Sequence, residues 1–186
     1  MNNRKITTRA IAVTAMFLAM NIALSSFGVP VPGGHLYLND IVIVLAAILL
    51  PPPLAFIVGG IGAFLGDLLF YPTPMFVSLV VHGVQAVIIS LAVHGVGSAA
   101  QGADISAPVD PSGKIRRTAF GVILGAAVAV VGYSLGRAFI YSTPEYAVLK
   151  LPYQILQQGV GAVLGPVLAY RFGIEKLYRR TVSRSV

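Results

Sequence analysis

Apolar stretches of about twenty residues recur along this chain, and the charges sit in the gaps between them. In lipid, every backbone N–H and C=O must be satisfied within the protein, so a spanning stretch is a helix or part of a closed barrel. A helix of roughly 20 residues crosses a bilayer. Six such stretches can be drawn, at about 8–27, 39–50, 54–70, 74–96, 118–141 and 146–172. The second is short for a full crossing. The expected fold is an all-α integral membrane protein, a compact six-helix bundle forming one domain over residues 1–186. Composition excludes the soluble classes: 56% of residues are hydrophobic and 10% charged, against about 25% charged in a soluble domain. The mean hydropathy is +0.85. With no cysteine, a disulfide framework, a thiol nucleophile and a Cys-based metal site are ruled out. The first apolar run lacks a small-x-small cleavage site and reads as a span rather than a leader.

Orientation follows from Lys and Arg. The N-terminus holds Arg4, Lys5 and Arg9, and the fourth-to-fifth connection holds Lys114, Arg116 and Arg117. The tail holds Arg171, Lys176, Arg179, Arg180 and Arg184, so the three segments carry 11 of the 13 basic residues. Six spans put all three on one side, which the positive-inside rule makes cytoplasmic. The net charge of +7 thus reflects topology and anionic headgroups rather than nucleic-acid binding. Residues 97–117 read as a flexible cytoplasmic loop, rich in Gly, Ser, Ala, Asp and Pro up to Gly113. Localisation to a cell membrane follows as an expectation. No internal repeat supports an inverted-repeat transporter.

In this topology the polar residues gather at one depth. Asp67 and Tyr71 fall at the outer end of the third span. His82 and Gln85 lie about 12 and 16 Å below the start of the fourth, at 1.5 Å per residue. Tyr133 and Arg137 fall in the outer third of the fifth, and Lys150, Gln154, Gln157 and Gln158 in the outer half of the sixth. The outer loops carry His35, Tyr37, Asn39, Tyr141, Glu145 and Tyr146. The inner halves, such as 45–63, 119–131 and 159–169, hold no ionisable residue. Polar side chains in hydrocarbon are costly and face a cavity or one another. A half-depth cluster sealed below points to a capture pocket, whereas a channel needs polar groups through the whole thickness.

Spacing strengthens this. Lys150, Gln154 and Gln157/Gln158 form one stripe at i, i+4 and i+7/8. His82/Gln85 and Tyr133/Arg137 each share a face. Amides, an imidazole and tyrosines suit a small polar heterocycle. The expected substrate contacts are Tyr37 and Asn39 from the covering loop, and His82, Gln85, Gln154 and Gln158 as hydrogen-bonding groups. Tyr133 or Tyr146 would stack on the ring. Two readings stay open for Asp67 with Arg137 and Glu145 with Lys150: structural ion pairs or pocket groups. Gly59, Gly60, Gly62, Ala63 and Gly66 read as a close-packing seam inside the bundle. Ala15, Ala19 and Ala23 form a second small-residue strip whose partner the spacing leaves open.

Three segments, in order, carry a resemblance: the Ala15/Ala19/Ala23 strip, LNDIVIVLAAILL followed by a proline corner and GGIGAFLGDLL, and LPYQILQQGVGAVLG. Together they resemble the S component, the substrate-capture subunit, of energy-coupling factor vitamin transporters, closest to the hydroxymethylpyrimidine and riboflavin-type members. The chain departs from relatives in carrying Gln154 where an Asn is common, and in lacking a Lys near His82. The resemblance implies capture of a vitamin from outside, with hydroxymethylpyrimidine or a B6 vitamer favoured and riboflavin, folate or pantothenate open. It also implies association with a T component, through Ala15, Ala19 and Ala23, and with two ATP-binding-cassette ATPases. No phosphate-binding GxxxxGK[ST] loop occurs here, so ATP hydrolysis falls to the partners, and this chain needs no cofactor or metal. Two rivals make different expectations: a self-sufficient permease or channel, and an intramembrane enzyme using His82, His94 and Asp67. No HExxH or paired-carboxylate spacing supports the enzyme.

Overall fold

The computed structural model describes residues 8–95 and 111–183. Arg4, Lys5, Arg184 and most of the expected 97–117 loop lie outside the described residues. Helix α1, Thr8–Ser25, buries Ala10, Thr14, Phe17, Asn21 and Ser25 along one stripe. It leads into an antiparallel hairpin, β1 Val29–Val31 and β2 Gly34–Leu36, with Pro30 opposite His35. The expected all-α fold thus gains a small hairpin. Its cause is local: Pro32 fixes one turn torsion, and Gly33 supplies the φ of +82° that a Pro-Gly turn requires.

Helix α2, Asn39–Leu49, has 11 residues, and all but Ile41 are buried. At 1.5 Å per residue it is about 16 Å long, too short to span a bilayer. The expected second span is instead a central pillar, apolar all round because every face meets protein. The carbonyl of Leu50, freed where α2 ends, accepts from Ser90 Oγ at 2.7 Å. Pro51 then turns the chain into α3, Pro52–Phe70. A π turn at Ile57–Ile61 interrupts α3. Asn21 Nδ2 donates to the Val58 carbonyl there at 2.6 Å, as happens where a π turn leaves a carbonyl without its helical partner.

Helix α4, Met75–His94, ends at Gly95 with φ +86°. Helix α5, Pro111–Gly136, runs on through a π turn at Arg137–Tyr141. Helix α6, Pro144–Pro166, likewise ends in a π turn at Val167–Arg171, and α7 is Ile174–Ser183. Among the described residues, α1, α3, α4 and the stretch Gly113–Tyr141 are long and apolar enough to cross a membrane. Helix α6 has the length, but Lys150, Gln154, Gln157 and Gln158 break its apolar run.

The main core surrounds α2: residues 42–50 pack with Val58, Ala86, Ile89, Val93 and Val122. The glycine seam is internal. A Cβ on Gly59 would lie 2.7 Å from that of Ala86, one on Gly62 2.6 Å from Asn21 Nδ2, and one on Gly66 2.5 Å from Ser25 Oγ. At one end of the bundle Arg9 donates to the Thr181 carbonyl at 2.9 Å, and Glu175 pairs with Lys114 and Arg179. The hairpin and the polar ends of α3, α4, α5 and α6 form the other end.

Candidate functional site

The hairpin end encloses a cavity of about 40 Å³, room for a few water molecules. Its walls come from the hairpin and from α1 to α6, and they include Asn39, Asp67, Ser78, His82, Tyr133 and Gln154. Two cations hold the hairpin over it. Arg137 donates to the Gly33 carbonyl at 2.8 Å, and Lys150 Nζ donates to the His35 carbonyl at 2.5 Å. Gly33 must be glycine for space as well as torsion: a Cβ would meet the backbone nitrogen of Lys150 at 3.0 Å. A third tie runs from the Tyr37 backbone N–H to Gln157 Oε1 at 3.1 Å. The Tyr37 hydroxyl is pushed up to about 12, first by burial and then by the nearby Asp67 charge, so it stays a neutral hydrogen-bonding group.

The residue at the base of this end is Asp40, 1% exposed. Its two oxygens accept from Gln157 Nε2 at 2.7 Å and Gln158 Nε2 at 2.9 Å, and Oδ1 lies 3.6 Å from His82 Nδ1. Gly161 makes this possible. A Cβ there would sit 2.8 Å from the Asp40 Cβ, so only glycine lets α6 lie close enough to α2 for both glutamines to reach the carboxylate. Beyond His82, the Tyr133 ring stands edge-on at 5.1 Å. The Tyr133 hydroxyl donates to Ser78 Oγ at 2.6 Å, and Ser78 donates to Asp67. Among the described residues no three His, Asp or Glu side chains converge as a metal site would need.

Of the expected contacts, Tyr37, Asn39, His82, Tyr133 and Gln154 line the cavity. Gln85 stands one hydrogen bond behind it, on His82, and Gln158 two, bonded to Gln85 and Asp40. Tyr146 does not belong: it is 54% exposed on the outside of α6. Neither anticipated ion pair forms, because Asp67 takes Ser78, and Arg137 and Lys150 take hairpin carbonyls. Asp40 was missed because an acid in the first turn of a helix reads as a partner for the helix dipole. Asn21 and Ser25 were missed too, though their spacing of four on the face opposite Ala15, Ala19 and Ala23 was a usable signal. Those three alanines are exposed.

A family model described as "ECF-type riboflavin transporter, S component" matches residues 5–173. The chain belongs to this family. It is a transporter subunit rather than an enzyme. S components are membrane-embedded, bind small vitamin substrates and work with a T component and ATPases. A protein of Pyrococcus woesei described as "Uncharacterized protein in gap 3'region" is 29% identical over 154 residues, covering 82% of this chain and 93% of that protein. The S component's polar cavity lies at one end of the helical bundle, and its cationic cluster at the other.

Proposed function

We propose that this S component captures a single-ring heterocyclic vitamin or precursor, of the hydroxymethylpyrimidine or vitamin B6 type, from the outer face of a prokaryotic plasma membrane. The observation that carries this is the small amide- and imidazole-lined cavity at the hairpin end of the bundle. Its volume of about 40 Å³ favours a small ring, which needs a smaller outward shift of the hairpin than a fused three-ring flavin. Riboflavin is the second reading, favoured by the description of the matching family. Six membrane-associated helical segments with both termini cytoplasmic fit the clustering of Arg9, Lys114 and Arg179 at the far end. Asn39, His82 and Gln154 would supply hydrogen bonds and Tyr133 a ring face. Gln85 and Gln158 would act from behind, and Tyr37 would close the lid.

Among the described residues the layer around α2 is apolar, so delivery would rest on a T component and two ATPases, which use the ATP; this chain would need no cofactor. The exposed Ala15, Ala19 and Ala23 offer a flat strip for close helix contact with the T component. Calorimetric titration of the purified protein with hydroxymethylpyrimidine, pyridoxine and riboflavin tests the ligand. Tight binding of one single-ring compound is expected, and binding of riboflavin alone would overturn the choice. For the partner strip, Ala19→Trp is expected to leave vitamin binding intact and abolish ATP-driven uptake. Loss of binding would make the strip internal packing instead. Uptake by this chain alone in liposomes would favour a self-sufficient permease.

A further inference from the structure

Two hydrogen-bond chains in this cavity begin at groups that can only accept, and that fixes the polarity of each later link. The first begins at the Val58 carbonyl. Asn21 Nδ2 donates to it at 2.6 Å, so Asn21 Oδ1 faces the other way and accepts from Asn39 Nδ2 at 3.1 Å. The same Asn39 nitrogen donates to Ser25 Oγ at 3.3 Å, and Ser25 gives its own proton to the Asn21 carbonyl at 3.0 Å. Both amide protons of Asn39 are therefore directed into the protein. Its Oδ1 is left buried and without a partner, on a residue that lines the cavity.

The second chain begins at the Asp40 carboxylate, which accepts from Gln158 Nε2 at 2.9 Å. Gln158 Oε1 then accepts from Gln85 Nε2 at 2.8 Å, which turns Gln85 Oε1 toward His82 Nδ1, also at 2.8 Å. An acceptor there requires a proton on Nδ1. Asp40 Oδ1, 3.6 Å from the same nitrogen, adds a second acceptor. A neutral imidazole holds one N–H, so the other ring nitrogen, Nε2, is a bare acceptor on a residue that lines the cavity.

We infer that Val58 and Asp40 wire the pocket to present two acceptors, Asn39 Oδ1 and His82 Nε2, and that the captured molecule is an uncharged ring donating hydrogen bonds to both through amino or hydroxyl groups. This rests on the vitamin-capture reading of the pocket. It narrows that reading, because a ring edge carrying only acceptors leaves both groups unpaired in a buried site. Asp40 is a positioning residue here: it acts on the ligand through Gln158, Gln85 and the tautomer of His82.

The wiring can be read without a ligand. Nitrogen-15 NMR of the full-length, histidine-labelled protein in lipid nanodiscs reports each ring nitrogen, with the His82 signals assigned by their loss in His82→Gln. At pH 7.5, Nδ1 is expected to be pyrrole-type and Nε2 pyridine-type. Asp40→Asn lets the anchor donate as well as accept, so the amides can reverse and Nδ1 loses its pyrrole character. Gln85→Met removes the nearer acceptor, is expected to loosen the tautomer in the same way, and serves if Asp40→Asn does not fold. A protonated Nε2 in the unaltered protein, as the other tautomer or as imidazolium, overturns the inference. A tautomer unmoved by either variant also overturns it. A binding arm compares 4-amino-5-hydroxymethyl-2-methylpyrimidine with its 4-dimethylamino analogue, which is expected to bind at least tenfold more weakly. Equal affinity overturns the inference. Binding of neither compound, with the expected tautomer in place, supports the wiring and overturns the pyrimidine choice of ligand.

Discussion

The two ends of the bundle each hold a buried or half-buried acid among basic and hydroxyl groups, yet they are built to opposite plans. At the α7 end Glu175 pairs directly with Lys114 and Arg179, and Thr118 hydrogen-bonds Tyr170 at 2.7 Å. There, charge meets charge and the groups close on one another. At the hairpin end Asp40 meets two amides, while the cations Arg137 and Lys150 hold backbone carbonyls of the lid. Polar atoms of His35, Asn39, Tyr141 and Gln154 there are buried without partners. Buried polar groups are ordinarily satisfied, and a cluster of exceptions calls for an explanation. The Tyr178 hydroxyl at the other end is also buried without a partner, so what sets the hairpin end apart is that all four of its unpaired groups belong to residues lining one cavity.

That contrast can be broken by variants at each end. The largest effect is expected for Asp40→Ala. It strands two glutamine amides in a buried site, at about 1–3 kcal/mol for each group left unpaired. Thermal unfolding should register a loss of at least several degrees, and ligand binding should fail. Next is Gln154→Ala, whose Nε2 has no partner within the protein. Here, stability should hardly change, because no protein bond is lost. Binding should weaken by about 1–3 kcal/mol, the cost of an unmet buried partner on the ligand. Unchanged affinity by calorimetry would remove Gln154 from the site.

The smallest effect is expected at the other end, for Glu175→Gln, where a partly exposed ion pair contributes about 0–1 kcal/mol. Burial raises the Glu175 carboxyl, but the hydrogen bonds and charges of Lys114 and Arg179 outweigh it and leave it below its ordinary value. A depressed carboxyl stabilises the fold fully above its unfolded value and loses that contribution as pH falls through the folded one. The difference in melting temperature between Glu175→Gln and the unaltered protein should therefore shrink as pH is lowered through the carboxylate range. Ligand binding near neutral pH should be the same in both. Weakened binding in Glu175→Gln would break the division between the two ends.

Much of this plan was legible in the sequence, and what was hidden has physical causes. The long apolar helices and the depth of the Lys150, Gln154, Gln157 and Gln158 stripe followed from period and charge, because lipid penalises exceptions heavily. The burial of α2 was not legible, because an apolar run reads alike whether lipid or protein surrounds it. The two small-residue strips show the same limit. The α3 glycines are filled by Ala86, Asn21 and Ser25, whereas Ala15, Ala19 and Ala23 remain exposed, and spacing alone cannot separate these fates. Tyr146 was expected as a ring-stacking aromatic beside Tyr133, but it is 54% exposed and does not line the cavity. Asp40 was hidden because its glutamine partners are more than 110 residues away in the chain, so no local pattern marks it.

The most direct test of the central claim is native mass spectrometry of the protein released from membranes, comparing the unaltered chain with Gln154→Ala and Glu175→Gln. A single small heterocycle retained at one per chain, lost from Gln154→Ala and kept by Glu175→Gln, is the predicted result. A retained molecule indifferent to Gln154, or one lost from Glu175→Gln alone, would contradict a capture pocket at the hairpin end.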